Sequence, residues 1–215
     1  MATTPDPSDE AGQPSALGLI ILWQLYAAPN HPYGLQKLLT EHGKDRVVNL
    51  RSRANVQQAI KRLQRRGLVE VHETVRGVGY PDRIIYAITD AGREAARGWL
   101  REMLGEVGAE YPDFIAAVSI IFGLEPDDAR EQLERRASQL SAALADTERQ
   151  FEANPDLPRL FLLEEEYRRA ILTAQLTWLG SVIDDLQAGR LTWNQAWLEE
   201  LFAAFHPQDP GNAPP

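Results

Sequence analysis

The chain has 215 residues, 44% hydrophobic and 25% charged, which are the proportions of a soluble globular protein with room for one large or two small domains. It contains no cysteine, which excludes disulfides, thiolate metal sites and cysteine nucleophiles. The net charge of -9 argues against a nucleic-acid partner until its distribution is read: residues 44–83 hold ten Lys/Arg against four Asp/Glu, whereas the residues after Gly92 hold eleven against twenty-two.

Residues 1–15 are polar and rich in Pro, Asp and Ser, and read as a disordered tail. They lack the basic start and apolar stretch of a signal peptide, and no apolar run reaches bilayer length, so the chain is expected in the cytoplasm without membrane attachment. Residues 16–28 predict a helix with Leu17, Ile20, Ile21 and Leu25 on its core side. Pro29-Asn30-His31-Pro32 breaks it, and Pro32 suits the first position of a second helix running to about His42, with Leu35, Leu38 and Leu39 as its stripe and Gly43 as its stop. After a loop over 44–50, Ser52 is the expected N-cap of a third helix that Gly67 ends.

That third segment, R-S-R-A-N-V-Q-Q-A-I-K-R-L-Q-R-R over 51–66, carries the strongest signal. Val56, Ala59, Ile60 and Leu63 share one side at helical spacing. Ala54, Gln57, Gln58, Lys61 and Arg65 take the other, flanked by Asn55 and Arg62, with no acidic residue in the segment. Amides and cations on an anchored helix are the groups that pair with base edges and phosphates. The candidates are Ser52, Arg53, Asn55, Gln57, Gln58 and Lys61 for base contacts, with Arg62, Arg65 and Arg66 toward backbone or solvent. The same face is also what a solvated amphipathic helix would show.

The period then changes. Leu68, Val69, Val71 and Val75 suggest a strand, residues 76–83 a turn-rich loop with Arg76 and Arg83 at its ends, and Ile84, Ile85, Tyr86 and Ile88 a returning strand. Arg76 and Arg83 are candidate phosphate contacts or plain surface cations. Thr89 or Asp90 caps a fourth helix, from Ala91 to about Glu106, carrying Ala95, Trp99 and Leu100. Three helices, a hairpin and a helix make a winged helix-turn-helix, whose third helix enters the major groove.

The second half reads as helix throughout: a short one at 111–122, a long one from Pro126, a break at 154–158, another long one over about 159–188 closed by Gly189, and a last one carrying Trp197, Leu201, Phe202 and Phe205, with Thr192 and Gln195 at capping-box spacing. Leu133, Ala137, Leu140, Leu144, Thr147 and Phe151 are spaced in a heptad rhythm, and the middle of the following helix, 170–183, is nearly uncharged and expected to be buried on most sides. A stripe of this length asks for a partner, so a homodimer is expected through Leu133, Ala137, Leu140, Leu144, Phe151, Ile171, Ala174 and Trp178. Two winged domains side by side would read a pseudo-palindromic operator in double-stranded DNA.

Other features support less. His31, His42, His72 and His206 are scattered without metal-ligand spacing, so no metal and no cofactor are expected. Glu164-Glu165-Glu166 reads as a solvated face with ion pairs to Arg168 or Arg169. Gly77-Val78-Gly79 lies in a hairpin and not between a strand and a helix, which rules against a nucleotide loop. No nucleophile and base stand together, so an enzyme is not expected. Of the five tryptophans, Trp178, with Tyr167, is the candidate contact for a small-molecule effector; the bland alternative for each is packing.

With these residues in view, the chain resembles the PadR family of transcriptional regulators, in its branch with the longer C-terminal domain. The resemblance rests on His31-Pro32-Tyr33-Gly34-Leu35, Ala59-Ile60-Lys61-Arg62-Leu63, Gly67-Leu68-Val69, and Tyr86-Ala87-Ile88-Thr89-Asp90-Ala91-Gly92-Arg93 with Trp99-Leu100. In the second half it rests on Tyr111-Pro112-Asp113-Phe114, Pro158-Arg159-Leu160-Phe161-Leu162-Leu163-Glu164 and Gly189-Arg190-Leu191-Thr192-Trp193. Where the family usually begins its recognition helix with a Gly-Ser-Leu-Tyr-like run, this chain has Ala54-Asn55-Val56-Gln57, an amide in place of the aromatic. The resemblance implies a dimeric repressor released by a small molecule. The expected architecture is mostly α: a tail at 1–15, a winged-helix DNA-binding domain at 16–108 with a two-stranded wing, an all-helical dimerisation domain at 109–206, and a tail at 207–215. The competing reading is a winged-helix protein-interaction module that binds no DNA.

Overall fold

The structure is a computed structural model that describes residues 14–50, 52–76, 83–108 and 112–205. The outer tail expectations, Arg51, the hairpin loop 77–82, Tyr111 and His206 lie outside the described residues, as do the side chains of Arg53 and Phe205. Among the described residues there are eight α-helices and one two-stranded antiparallel sheet, and the chain divides between Ala109 and Glu110 into two compact units.

The first unit contains α1 (Ala16–Ala27), α2 (Pro32–Glu41), α3 (Arg53–Arg65), β1 (Val69–Val75), β2 (Arg83–Ile88) and α4 (Asp90–Gly105). Ser15, expected in the tail, instead caps α1, its Oγ accepting from Gly18 N at 3.0 Å. α1 buries Leu19, Ile21, Leu22 and Leu25, while Leu17 and Ile20 are only partly covered. The loop after α2 contains a single 3-10 turn, Lys44–Arg46, and brings Val48 and Leu50 into the core. That core joins Leu22, Leu35, Leu39, Val56, Ile60, Leu63, Val69, Tyr86 and Trp99.

Two junctions lock the wing to the helices. Asn30 pairs with Tyr86 by two backbone hydrogen bonds of 3.0 and 2.9 Å, making the α1–α2 link a one-residue third strand. Asn30 Oδ1 also accepts from His31 N, and His31 Nδ1 accepts from Gly34 N at 2.7 Å to cap α2. At the other junction, Thr89 Oγ1 donates to the Gly67 carbonyl at 2.7 Å and accepts from Gly92 N at 3.0 Å. Gly92 lies so close to the Leu68 carbonyl that any Cβ there would collide with it. Gly67, at φ 69°, supplies the left-handed residue that ends α3. The tolerances of these two junctions account for the His31-Pro32-Tyr33-Gly34 and Thr89-Asp90-Ala91-Gly92 motifs.

The second unit contains α5 (Asp113–Ser119), α6 (Pro126–Ala153), α7 (Leu163–Gln187) and α8 (Gln195–Phe205). The α6 stripe finds a partner in α7 of the same chain. Leu133, expected at a dimer interface, is 5% exposed in a core with Ala129, Leu179, Ile183, Leu186, Trp193 and Leu198. Ala137 and Leu140 are partly buried against that core, and Phe151 lies under the Arg169 guanidinium, 4.8 Å from its ring centroid. The uncharged middle of α7 is not buried on most sides: Leu172 and Leu179 point inward, but Ile171, Ala174 and Trp178 remain exposed. One neighbouring helix covers one strip of a helix and no more.

Asn194, not Thr192, caps α8, its Oδ1 accepting from Trp197 N at 2.9 Å. Trp193 is anchored by its Nε1 donating to the Leu124 carbonyl at 2.8 Å. Glu166 pairs with Arg159 through 2.9 Å hydrogen bonds, and Arg169, which faces Glu148, adds a smaller attraction to Glu166. The Arg159 guanidinium holds the Glu166 carboxyl below its ordinary range, and Arg130 with Gln187 does the same to Glu134.

Candidate nucleic-acid interface

Helix α3 is built to present one face. Ser52 Oγ accepts from Ala54 N at 3.1 Å and starts the helix, and Gly67 stops it. Val56, Ala59, Ile60 and Leu63 are buried and fix its rotation about its own axis. At about 100° per residue, the direction opposite that stripe is occupied by Ala54, Lys61, Arg65 and Gln58, with Gln57 beside them. All five are exposed. Two amides and two cations therefore stand outward from a rigid base.

The flanking candidates differ in their surroundings. Asn55 is half-buried, and its Nδ2 donates to the Asn49 carbonyl at 3.5 Å, so it ties the preceding loop to the helix. Ser52 is likewise half-buried and occupied as the cap. Arg62 is exposed and, with Gln58 and Asn55, lines a shallow hollow bounded by Ala16, Leu17 and residues 47–49. Arg66 lies over the Trp99 ring, 4.8 Å from its centroid, and serves packing. On the wing, Arg76 and Arg83 are both exposed at the same end of the hairpin, Arg83 opposite Val75 in the ladder. The structure thus gathers Gln57, Gln58, Lys61 and Arg65 on one outward face and keeps Arg76 and Arg83 together on the wing.

The proposed effector contacts are not brought together. Tyr167 and Trp178 share a face of α7 but stand eleven residues apart, about 16 Å along a helix. Tyr167 is 71% exposed, and Trp178 packs edge-on against Phe114, ring centroids 5.9 Å apart. Among the described residues no group of three His, Cys, Asp or Glu is placed to hold a metal ion, and no helix is long and apolar enough to cross a membrane.

Residues 21–98 match the model of the Transcriptional regulator PadR-like family. The sequence matches no curated protein. The fold is similar to that of Bacillus subtilis PadR in complex with operator DNA, with a TM-score of 0.65 and 16% identity over 80% of this chain and 99% of that one. It is also similar to Bacillus subtilis PadR in complex with p-coumaric acid, at TM-score 0.59 and 16% identity over 82% and 99%. A third similar structure, the Vibrio cholerae virulence activator AphA, has TM-score 0.61 and 20% identity over 80% and 99%. At such identities the likeness is one of fold, and the family model adds the assignment of the winged unit: residues 21–98 form a domain of the PadR-like family of transcriptional regulators.

Proposed function

We propose that the chain is a sequence-specific DNA-binding repressor that acts as a homodimer and is released by a small molecule. The observation that carries this reading is the outward face of α3, where Gln57, Gln58, Lys61 and Arg65 are exposed on a helix held from behind by Val56, Ala59, Ile60 and Leu63. Gln57 and Gln58 pair with adenine edges, while Arg53 and Lys61 take guanine or phosphate. Arg62, Arg76 and Arg83 neutralise phosphates and make the affinity depend on salt. Ser52 and Asn55 hold the start of the helix in register. Catalysis plays no part in this reading.

In this reading residues 16–108 bind DNA, residues 109–206 make the dimer, and the protein works in the cytoplasm. The exposed uncharged strip of α7, with Ile171, Ala174 and Trp178, supports pairing with a second copy. Leu144 and Phe151 on α6 are partly buried, and in this reading they add to the interface. The operator-bound and p-coumaric-acid-bound Bacillus subtilis structures support DNA and a small effector as partners by likeness of fold. A ligand that favours one spacing of the two recognition helices shifts operator affinity.

Fluorescence anisotropy with duplexes from the chain's own promoter region tests the proposal. The expected result is tighter binding to one pseudo-palindromic duplex than to its scrambled counterpart, with a steep salt dependence. Equal affinity for both removes the sequence-specific reading and leaves a winged-helix interaction module. A promoter–reporter assay in the presence and absence of the protein fixes the sign of regulation.

A further inference from the structure

A hollow of about 470 Å³ lies between α5 and the first half of α6, wholly within the second unit. Phe114, Val118, Ile121, Leu124 and Leu133 form apolar walls, and Arg136 is the one charged residue lining it. Its size falls in the range of small-molecule sites, about 300–1,000 Å³.

Arg136 is the charged group that the hollow offers to a ligand. Arg130, Arg149, Arg159, Arg169 and Arg190 of this unit each face a carboxylate, whereas Arg168 shares with Arg136 a buried Nε without a hydrogen-bond partner but is not part of the hollow's lining. Arg136 faces no carboxylate among the described residues. Its guanidinium lies 3.7 Å from the Phe114 ring centroid, one terminal nitrogen reaches Gln175 Oε1 at 3.4 Å, and its Nε is buried with no hydrogen-bond partner. A half-buried guanidinium that faces no carboxylate among the described residues and stands against an apolar wall is stabilised by an anion at its terminal nitrogens. Its planar fork matches a carboxylate or sulfonate through two parallel hydrogen bonds. The other polar group of the lining, Gln132, is already engaged, donating to Asp128 Oδ1 at 3.0 Å. Asp128 lies two turns from Arg136, about 12 Å along the helix, and its charge disfavours a second anionic group at that end.

We infer that this hollow binds a small monoanionic organic molecule, its acid group on Arg136 and its flat apolar body between Phe114, Val118, Ile121 and Leu133. The inference rests on the reading of the chain as a ligand-released regulator and gives that ligand a site distinct from Tyr167.

Isothermal titration calorimetry of the full chain with 2-naphthoate and with its neutral analogue 2-naphthamide tests it. The expected result is one naphthoate per chain, with the amide weaker by about tenfold or more. Arg136→Gln brings naphthoate down to the amide's affinity and leaves the amide unchanged. Arg136→Lys, which keeps charge but loses the fork, falls between. Val118→Trp fills the hollow and abolishes both. Wild-type protein that binds acid and amide alike, or binds neither, overturns the inference, and that comparison needs no variant to fold. Unchanged naphthoate affinity in a folded Arg136→Gln also overturns it. Operator titrations without ligand separate the two readings. Intact operator binding with no naphthoate binding removes this site alone; naphthoate binding with no operator preference removes the regulator reading alone.

Discussion

The two units solve the same packing problem to different degrees. In the first, stripes from α1, α2, α3, α4 and the wing converge on one core, and what α3 leaves outside is amide and cation. Of its exposed aromatics, Tyr26 lies beneath the Arg93 guanidinium and beside Trp23, while Tyr33, together with Leu104 and Val107, also stays exposed. In the second, two long helices cover one strip of each other, and Ile115, Ile120, Leu160, Phe161, Ile171 and Trp178 stay exposed. A polar outer face on a complete core is a working surface; an apolar face beside an incomplete core is a joining surface. On the proposed reading, the first kind of face meets DNA and the second meets another copy.

The sharpest way to break that contrast is the double variant Ile171→Glu with Ala174→Glu. It should yield a monomer in sedimentation and lower operator affinity by about 10²–10⁴-fold, because half-site binding is no longer linked. A dimer that survives would put the joining surface elsewhere. These positions serve better than Leu140, whose partly buried side chain supports the chain's own core, so that Leu140→Glu would damage both at once. Next in size, Ile60→Ala behind α3 should cost about 2–5 kcal/mol in urea unfolding. It should weaken all DNA alike, since it loosens the base of the helix and not its reading face.

Gln57→Ala and Gln58→Ala address the face itself. Each should lose about 1–3 kcal/mol of discrimination where pairing is bidentate, with little change in affinity for random duplex. Arg76→Ala should weaken every sequence equally and flatten the salt slope by about one unit in an anisotropy series. Equal effects of the glutamine and arginine variants on specific and random DNA would erase the division between reading and anchoring. The smallest effect belongs to the Arg159–Glu166 pair. A carboxyl held below its ordinary range contributes stability above its unfolded pKa and loses it as pH falls through the lowered folded value. Arg159→Ala should therefore lower the urea midpoint slightly at neutral pH and not at all in acid. Because the pair is exposed, the shift should be small and shrink with added salt.

The helices of both units were legible because their signals are short-range. Ser52, Thr89 and Pro126 stand where caps and first turns require them, and Gly43, Gly67 and Gly189 carry the positive φ that ends a helix. The outward face of α3 followed from periodicity, since burying Val56 and Ile60 leaves Gln58 and Lys61 no other direction. The surroundings of α7 were not legible. An uncharged helix face reads the same whether it meets its own chain, a partner or water. The switch from Thr192 to Asn194 as cap shows the same limit on a smaller scale, because several polar residues in a row satisfy the same local rule.

The amino-acid order alone indicated which segments are helix or strand, and which face of the third helix is polar, because both depend on neighbours a few residues away. The folded chain decided what those faces meet. It joined Asn30 to Tyr86 across 56 positions, seated Gly92 against the Leu68 carbonyl, turned Leu133 inward and left Arg136 facing no acid among the described residues. Each of these depends on groups far apart in the chain that become adjacent only when the cores close, and no local spacing encodes that proximity.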